Sequence, residues 1–171
     1  MIQYSKMDNL YDIRIEQAVP SDCIRLTAIA FAAKRHWNYP EEYFDIWHDE
    51  ITVTEDYIDK NLVFVSICDD EIIGFISVVV VESSFFAGEV FVEEGYWLDH
   101  LFIEPRFFYQ GIGTILLNYT RKFCSQKGVS KLMIFTDPHA TGFYEKSGAV
   151  FLYDSLTSIP GRKIPVYCLS L

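Results

Sequence analysis

No stretch of this sequence is long and apolar enough to cross a bilayer. The longest nearly apolar run covers residues 72–81, and Asp70, Glu71 and Glu82 lie beside it. Because a membrane-spanning helix needs about 20 apolar residues, we expect no transmembrane segment. Residues 1–10 also lack the apolar core and the small-residue cleavage site of a secretory signal. The sequence therefore predicts neither a membrane span nor a secretory leader.

Positive charge is scarce in this chain. It has 14 Lys and Arg residues against 24 Asp and Glu residues, which gives a formal net charge of −10. Duplex nucleic acid and anionic membranes both require a basic face, so this charge argues against either of them as the main partner. An acidic surface would suit a cationic substrate such as an amine, or it would simply keep the protein in solution.

Cysteine is rare, and no two cysteines form a C-x-x-C pair. The four residues are Cys23, Cys68, Cys124 and Cys168. Metal-binding cysteines usually occur in close pairs, so we expect no metal site. Buried, reduced thiols are the expected state, and they are typical of a cytoplasmic protein.

The 171 residues correspond to one domain, residues 1–171, at about 150 residues per domain. Strand and helix patterns alternate along the chain, which is typical of a mixed, layered α/β fold. We predict strands over residues 13–18, 62–68, 71–81, 96–103, 131–136, 150–156 and 163–170. We predict helices over residues 21–35, after residue 40, over 54–60, 114–126 and 140–147. Ser21 is the expected N-cap of the first helix, and residues 82–95 form a loop with some strand character.

A glycine-containing turn connects the strand over 96–103 to an amphipathic helix. It contains Gln110-Gly111-Ile112-Gly113-Thr114. The first turn of a helix offers unpaired N–H groups and partial positive charge, and glycine lets the backbone approach a phosphate closely. The turn therefore predicts a phosphate site, although glycines also precede helices that bind nothing. The lysine of a Walker A loop and the third glycine of the Rossmann fingerprint are both missing.

Two segments together resemble the GNAT superfamily of acetyl-CoA-dependent N-acetyltransferases. Phe108-Tyr109-Gln110-Gly111-Ile112-Gly113 resembles motif A of that family, which is Arg/Gln-x-x-Gly-x-Gly/Ala at the start of a helix after a strand. The segment DPHATGFYEKSGA, residues 137–149, resembles motif B, and the whole resemblance covers about residues 13–171. Two departures stand out: Phe108 occupies the place of the usual Arg or Gln, and His139 occupies a place that is often Asn.

The resemblance implies a mostly antiparallel central sheet with helices on both faces. It also implies direct transfer of an acetyl group from acetyl-CoA to the primary amine of a small molecule in a ternary complex, without a metal. The pyrophosphate would lie on the amides of residues 110–114, and the pantetheine arm would pair with the strand at 101–103. The residues that the resemblance places at the cofactor are Leu101, Phe102, Ile103, Tyr109, Gln110, Gly111, Ile112, Gly113, Thr114, His139, Phe143 and Tyr144.

The resemblance gives Tyr144 the role of the acid that protonates the leaving CoA thiolate. A phenol with a pKa near ~10 is a competent proton donor to a thiolate. The alternative is that Tyr144 is a half-buried helix aromatic beside Phe143.

The general base is less clearly marked. Many family members have a glutamate early in the strand before motif A, and Trp97 occupies that position here. Asp99 and His100 are the nearest titratable residues, and only one of them should face the cleft because neighbouring strand residues point to opposite faces. Strand parity with Trp97 favours Asp99, whereas imidazole titrates near neutral pH, which leads us to take His100 as the base. Either residue could instead make only structural hydrogen bonds, and water could act as the base.

The resemblance places the acceptor wall near the end of the first helix, where His36, Trp37 and Tyr39 lie. Trp37 and Tyr39 could stack on a substrate or surround a cation, or these residues could form an aromatic cluster that packs on the sheet. Arg162, in the turn between the last two strands, could pair with a carboxylate of the acceptor or could be a solvated turn residue.

Two other functions stay open on the sequence. A CoA-binding sensor or interaction domain without transferase activity is supported by Trp97 in the place of the usual glutamate, whereas Tyr144 argues against it. An enzyme acting on protein N-termini or lysines would need an open peptide groove, which a sequence does not reveal. A homodimer also stays open.

Overall fold

A computed structural model describes residues 2–4 and 12–171 of the chain. The strands in this part of the chain are β1 (Ile2–Tyr4), β2 (Ile13–Gln17), β3 (Leu62–Cys68), β4 (Glu71–Val81), β5 (Phe85–Ala87), β6 (Val90–Val92), β7 (Gly95–Ile103), β8 (Lys131–Phe135), β9 (Val150–Leu156) and β10 (Lys163–Ser170). The α-helices are α1 (Cys23–His36), α2 (Glu41–Ile51), α3 (Glu55–Lys60), α4 (Ile112–Gln126) and α5 (Thr141–Lys146). Three 3₁₀ turns cover Pro20–Asp22, Pro105–Phe107 and Pro138–Ala140.

The predicted fold class is confirmed, because the structure is a mixed α/β fold with a large, mostly antiparallel sheet and helices. Local sequence signals explain why the main elements form where predicted. At the start of α3, the side chain of Thr54 accepts a hydrogen bond from the amide of Tyr57 at 3.1 Å. Between β3 and β4, Asp69 and Asp70 adopt φ values of 48° and 62°, which Asp tolerates better than most residues.

Two predicted details are wrong, and one is made more precise. Ser21 is not an N-cap, because it lies inside a 3₁₀ turn in which the Asp22 carboxylate accepts a hydrogen bond from the amide of Val19 at 2.9 Å. Helix α4 begins at Ile112, two residues before the predicted start at Thr114. The segment over residues 82–95, predicted as a loop with some strand character, does contain two short strands, β5 and β6, which pair as a separate two-stranded antiparallel sheet.

The chain forms two compact units, which we describe separately. The first comprises the described residues up to Tyr39, then Ile51–Ser77 and His100–Arg121. Its strands follow the order β1-β2-β3-β4, and β2 pairs with both β1 and β3 in antiparallel fashion. Its fully buried side chains come from both the helices and the strands. They include Leu26, Ile29, Ile73, Phe75 and Leu116.

The second unit comprises Pro40–Glu50, Val78–Asp99 and Lys122–Leu171. Its strands follow the order β7-β8-β10-β9, with β7 parallel to β8 and the other two pairs antiparallel. The core of this unit forms around Trp97, Met133 and Val166.

All four cysteines lie in the described part of the chain, and all are free thiols. Cys68 and Cys124 are buried as predicted, whereas Cys23 and Cys168 are only half-buried. The described residues include no group of three or more His, Cys, Asp and Glu side chains that could hold a metal ion. Within residues 2–4 and 12–171, no helix combines the length and the apolar character needed to span a bilayer.

Candidate active site

The glycine loop, residues 108–114, connects the 3₁₀ turn after β7 to helix α4. Tyr109 and Gly111 adopt left-handed backbone angles, with φ of 62° and 83°. The amide of Ile115 donates to the carbonyl of Gly111 at 3.1 Å, which closes the first turn of α4. The amides of residues 112–114 lie within that first turn, ahead of this hydrogen bond. Such amides point out of the helix end, where they and the helix dipole favour an anion. The structure thus places Gln110, Gly111, Ile112, Gly113 and Thr114 at the start of one helix.

The end of β7 approaches β4 closely at Gly74. A Cβ atom at Gly74 would lie 2.6 Å from Cδ1 of Ile103 and 3.0 Å from the carbonyl oxygen of Phe102, so the Ile103 side chain and the backbone of β7 would both have to shift to admit it. Leu101, Phe102 and Ile103, the predicted partners of the pantetheine arm, are half-buried there. The role of Gly74 was not visible in the sequence, because a lone glycine in an apolar strand does not reveal its neighbours.

A carboxylate between two arginines lies directly before the glycine loop. Half-buried Glu104 contacts the guanidinium of Arg25 and lies 2.6 Å from Nε of Arg106. Arg25 also donates from Nε to the carbonyl of Ile72 at 2.9 Å. The carbonyl of Arg106 accepts a hydrogen bond from the side chain of Gln110 at 2.9 Å. This network, which sequence reasoning missed, connects α1 to the glycine loop.

An aromatic cluster covers one side of the glycine loop. Phe108 stacks on Trp37 with 5.8 Å between ring centroids and 19° between planes, and it meets the ring of His36 edge-on at 4.8 Å. The ring of Tyr109 is 90% exposed. Of the predicted acceptor residues, His36 and Trp37 therefore pack on Phe108 of the glycine loop. Tyr39 lies under the ammonium of Lys34, 5.6 Å from its ring centroid.

The two candidate bases lie in different environments. Asp99 is exposed in the second unit, whereas His100 is only 8% exposed in the first. The imidazole of His100 lies among aromatic rings, with ring centroids 5.5 Å from Tyr57 and 5.6 Å from Phe102. The amide of His100 donates to Oγ of Ser77 at 3.1 Å, and that oxygen lies 2.7 Å from the hydroxyl of Tyr57. No sequence motif pointed to Tyr57 or Ser77 as neighbours of a candidate base.

Trp97, at the position of the usual glutamate, is a core residue. Its ring stacks on Phe135 with centroids 4.5 Å apart and planes at 16°. Its indole nitrogen donates to the carbonyl of Glu93 at 2.8 Å. An indole neither gains nor loses a proton near neutral pH, so Trp97 cannot take the role of a glutamate base.

Motif B folds as a 3₁₀ turn followed by the short helix α5. The carboxylate of Asp137 accepts a hydrogen bond from the amide of His139 at 3.0 Å, which fixes the start of the turn. Tyr144 is 6% exposed and meets the ring of Phe143 edge-on, with centroids 5.0 Å apart. Burial, with a smaller contribution from the Asp137 charge, raises the pKa of Tyr144 well above its ordinary value of 10.0. The phenol therefore keeps its proton at neutral pH.

Arg162 is not a solvated turn residue. Its side chain is only 15% exposed, and its guanidinium carbon lies 5.3 Å from the ring centroid of Trp47. Its Nη2 atom lies 3.9 Å from the carboxylate of Asp137, the residue whose charge also acts on Tyr144. The second unit thus brings Arg162, Asp137 and Tyr144 into one neighbourhood.

Known structures share this fold. The similar chains include a GCN5-related N-acetyltransferase from Rhodopseudomonas palustris, with 19% identity, a TM-score of 0.73, and coverage of 100% of this chain and 99% of that one. A PaiA N-acetyltransferase from Thermoplasma acidophilum, solved with coenzyme A, shows 19% identity, a TM-score of 0.71 and coverage of 93% and 99%. The ribosomal-protein-S18-alanine N-acetyltransferase from Escherichia coli shows 16% identity and a TM-score of 0.62, with coverage of 92% of this chain and 93% of that one.

Curated proteins offer no significant sequence match. The sequence profile of the acetyltransferase (GNAT) family, in contrast, matches residues 24–149, which contain both the glycine loop and motif B. That match spans well over half of the 171 residues. The chain therefore belongs to the acetyltransferase (GNAT) family.

Proposed function

We propose that residues 1–171 form one acetyltransferase domain that moves the acetyl group of acetyl-CoA to the primary amine of a small molecule. The observation that carries this proposal is the glycine loop, which opens helix α4 with two left-handed residues and a set of outward-facing amides. A diphosphate fits that arrangement because the amides and the helix dipole both favour negative charge. The T. acidophilum relative, solved with coenzyme A, supports the same cosubstrate here.

Tyr144 supplies the acid in this proposal. When the amine nitrogen attacks the thioester carbonyl, a nitrogen–carbon bond forms, the carbon–sulfur bond breaks, and the sulfur leaves as a thiolate. The raised pKa of Tyr144 keeps its proton in place until that thiolate develops. Tyr144 then donates the proton to the sulfur, which releases free CoA.

His100 supplies the base. A primary amine is mostly protonated at neutral pH and must lose a proton before it can attack. His100 is a titratable side chain on the strand that runs into the glycine loop, and Ser77 and Tyr57 fix its backbone position. Asp99 is the second candidate, and exposed carboxylates are usually too weak as bases for this step unless their pKa is raised.

Two specific observations support alternatives, one a different acceptor and the other a role without transferase activity. The E. coli relative is named for an alanine of a ribosomal protein, which supports a protein N-terminus as the alternative acceptor. Trp97 is buried at the position of the usual glutamate, which supports a CoA-binding domain without transferase activity. The four free thiols of the described chain support a cytoplasmic location as part of the proposal.

Thiol release from acetyl-CoA across a panel of primary amines tests the proposal. Tyr144→Phe should lower kcat by about 10²–10⁴-fold and leave the affinity for acetyl-CoA almost unchanged, because an acid acts only in the transition state. Tyr153→Phe, which removes a hydroxyl from an exposed strand, is the control and should behave as wild type. A fall in kcat of less than about tenfold with a good acceptor would remove Tyr144 from the mechanism.

A further inference from the structure

Strand β9 is an edge strand of the second unit. Its inner side pairs with β10, and within the described residues no strand pairs with its outer side. Such an edge presents a row of free N–H and C=O groups to any extended chain that approaches it. Proteins usually protect an edge with lysine, proline, a bulge or a very short strand. β9 is seven residues long, VFLYDSL, and of these protections it has only a register shift at Leu152.

The side chains of β9 are apolar and exposed on both faces of the sheet. Val150 is 63% exposed and Phe151 is 49% exposed. Phe151 lies opposite Tyr167 of β10, and Tyr153 lies opposite Val166. Because Val166 and Tyr167 are neighbours in one strand, their partners point to opposite faces of the sheet. An extended chain added beside β9 would therefore find apolar contacts on each face.

The β5–β6 hairpin lies beside β9 and carries further exposed rings. Phe86 and Phe91 are cross-strand partners with ring centroids 5.1 Å apart, and both are exposed. Strand β6 lies next to β9. Burial, with a smaller contribution from the charge of Glu93 directly after β6, raises the pKa of Tyr153 in β9. We call β9 and residues 82–94 together the acidic aromatic surface.

The charges of the acidic aromatic surface are all negative. Its carboxylates belong to Glu82, Glu89, Glu93, Glu94 and Asp154, all of them exposed, and it contains no Lys or Arg. In the part of the chain that the structure describes, none of these five carboxylates forms an ion pair with Lys or Arg. The surface therefore combines an unpaired strand edge, exposed rings and uncompensated negative charge.

Charge complementarity distinguishes the possible occupants of this surface. A guanidinium pairs with carboxylates and stacks on aromatic rings, so a basic chain matches both features. A second copy of this chain would bring the same carboxylates to the contact, and like charges on facing strands are destabilising. Each copy also carries a net charge of −10, which adds long-range repulsion. The charges favour a basic partner over a second copy.

We propose that a basic, extended segment of another protein binds along the outer edge of β9 as an added strand. Its backbone pairs with β9, and its arginine or lysine side chains contact the carboxylates and rings of the acidic aromatic surface. This inference goes beyond the proposed function, because it assigns a protein partner to the second unit and does not concern the acceptor of the acetyl group.

The test uses a fluorescent synthetic peptide that alternates arginine and valine, so that as a strand it has one basic and one apolar face. One comparison peptide has glutamate in place of arginine. Another is N-methylated at alternate residues and cannot donate backbone hydrogen bonds along one edge. Fluorescence anisotropy with the full chain should show binding of the arginine peptide at least about tenfold tighter than either comparison peptide, and weaker binding at high salt. No acetyl-CoA is present, so the result is independent of acetyl transfer.

Two double variants separate the local surface from the net charge of the chain. Glu93→Gln with Asp154→Asn should weaken binding of the arginine peptide by about three- to tenfold, the effect of losing two exposed charge pairs. Glu42→Gln with Glu50→Gln removes the same charge from exposed positions of α2 in the same unit and should leave the affinity almost unchanged. In hydrogen exchange, the bound peptide should slow the amides of β9 and leave those of β8 unchanged.

Several results would overturn the inference. They include equal binding of the arginine and glutamate peptides, equal binding of the N-methylated peptide, and no binding of any peptide. An equal loss of affinity in both double variants would assign the attraction to the whole chain's charge. Finally, a dimer of the purified chain in sedimentation equilibrium that Phe151→Lys abolishes would assign the edge of β9 to a second copy.

Discussion

The carboxylate of Glu104 lies 2.6 Å from Nε of Arg106 and also contacts the guanidinium of Arg25. This carboxylate lies between two arginines at the point where β7 becomes the glycine loop, and Glu71 supplies a second carboxylate to Arg106 at 2.6 Å. Through the carbonyl of Arg106, the same network reaches the side chain of Gln110. The position of the loop is therefore determined by a charged contact with helix α1 as well as by its own glycines.

Glu104→Gln should destabilise the glycine loop and weaken acetyl-CoA binding. Removing the charge of Glu104 takes a carboxylate from both Arg25 and Arg106, of which Arg106 keeps Glu71, at a cost of about 1–3 kcal/mol. We expect KM for acetyl-CoA to rise more than kcat falls, and calorimetry with CoA measures the affinity directly. Glu89→Gln, at an exposed turn, is the control. A lower Tm with unchanged CoA affinity would assign the network a purely structural role.

Gly113→Val should abolish CoA binding while the fold is kept. Gly111 has a left-handed φ of 83°, so a substitution there also strains the backbone, whereas Gly113 lies outside that region and gives a cleaner test. A branched side chain at the start of α4 would occupy the space through which a phosphate approaches the amides. Asn118→Val, on the exposed face of the same helix, controls for valine in a helix. Equal CoA affinity of the two variants would remove the loop from the binding site.

The raised pKa of Tyr144 predicts a dependence of stability on alkaline pH. The phenol stays protonated in the folded state, whereas the unfolded chain ionises near 10.0. Its contribution to stability is therefore complete below that pH and is lost as pH rises. Between roughly pH 9 and pH 11, wild type should lose about 1 kcal/mol more unfolding free energy than Tyr144→Phe. Urea titrations at pH 9 and pH 11 measure the unfolding free energy of each variant, and Tyr96→Phe is the control for the loss of a hydroxyl. If wild type and Tyr144→Phe lose the same unfolding free energy between the two pH values, the burial argument is contradicted.

A pH–rate profile distinguishes the two candidate bases. If His100 accepts the proton of the amine, kcat/KM of wild type should rise with pH, because a general base must be unprotonated to act. His100→Gln should abolish that limb, and Asp99→Asn should retain it. Loss of the limb only in Asp99→Asn would reverse the assignment, and survival in both variants would point to water.

Local patterns were sufficient for most of the fold. Alternating residues marked β3, a continuous run rich in β-branched residues marked β4, and Thr54 marked the start of α3, because strand patterns and capping depend on near neighbours in the chain. The glycine loop was also visible, since its residues are consecutive. Ser21 misled the prediction because two polar residues followed Pro20 closely, and only the three-dimensional turn shows that Asp22 makes the bond.

The remaining features of the candidate site depend on contacts between residues far apart in sequence. Arg25 and Glu104 are separated by 79 positions, and the sequence signal of each alone is an ordinary surface charge. The burial of Arg162 depends on Trp47, which belongs to a helix more than a hundred residues earlier. Strand parity assumes that neighbouring residues of β7 face alternately towards the core and away from it. Because the neighbours Trp97 and Leu98 are both buried, that assumption could not decide between Asp99 and His100.

Product analysis after mixing the purified protein with acetyl-CoA and one amine tests the central claim most directly. Mass spectrometry should find acetylated amine in the same amount as the CoA released, and the protein itself should gain no acetyl group, because transfer is direct. Gly113→Val should form neither product above the uncatalysed rate. Binding of CoA without release of thiol across the whole amine panel, or acetyl groups appearing only on protein N-termini or lysines, would contradict the account.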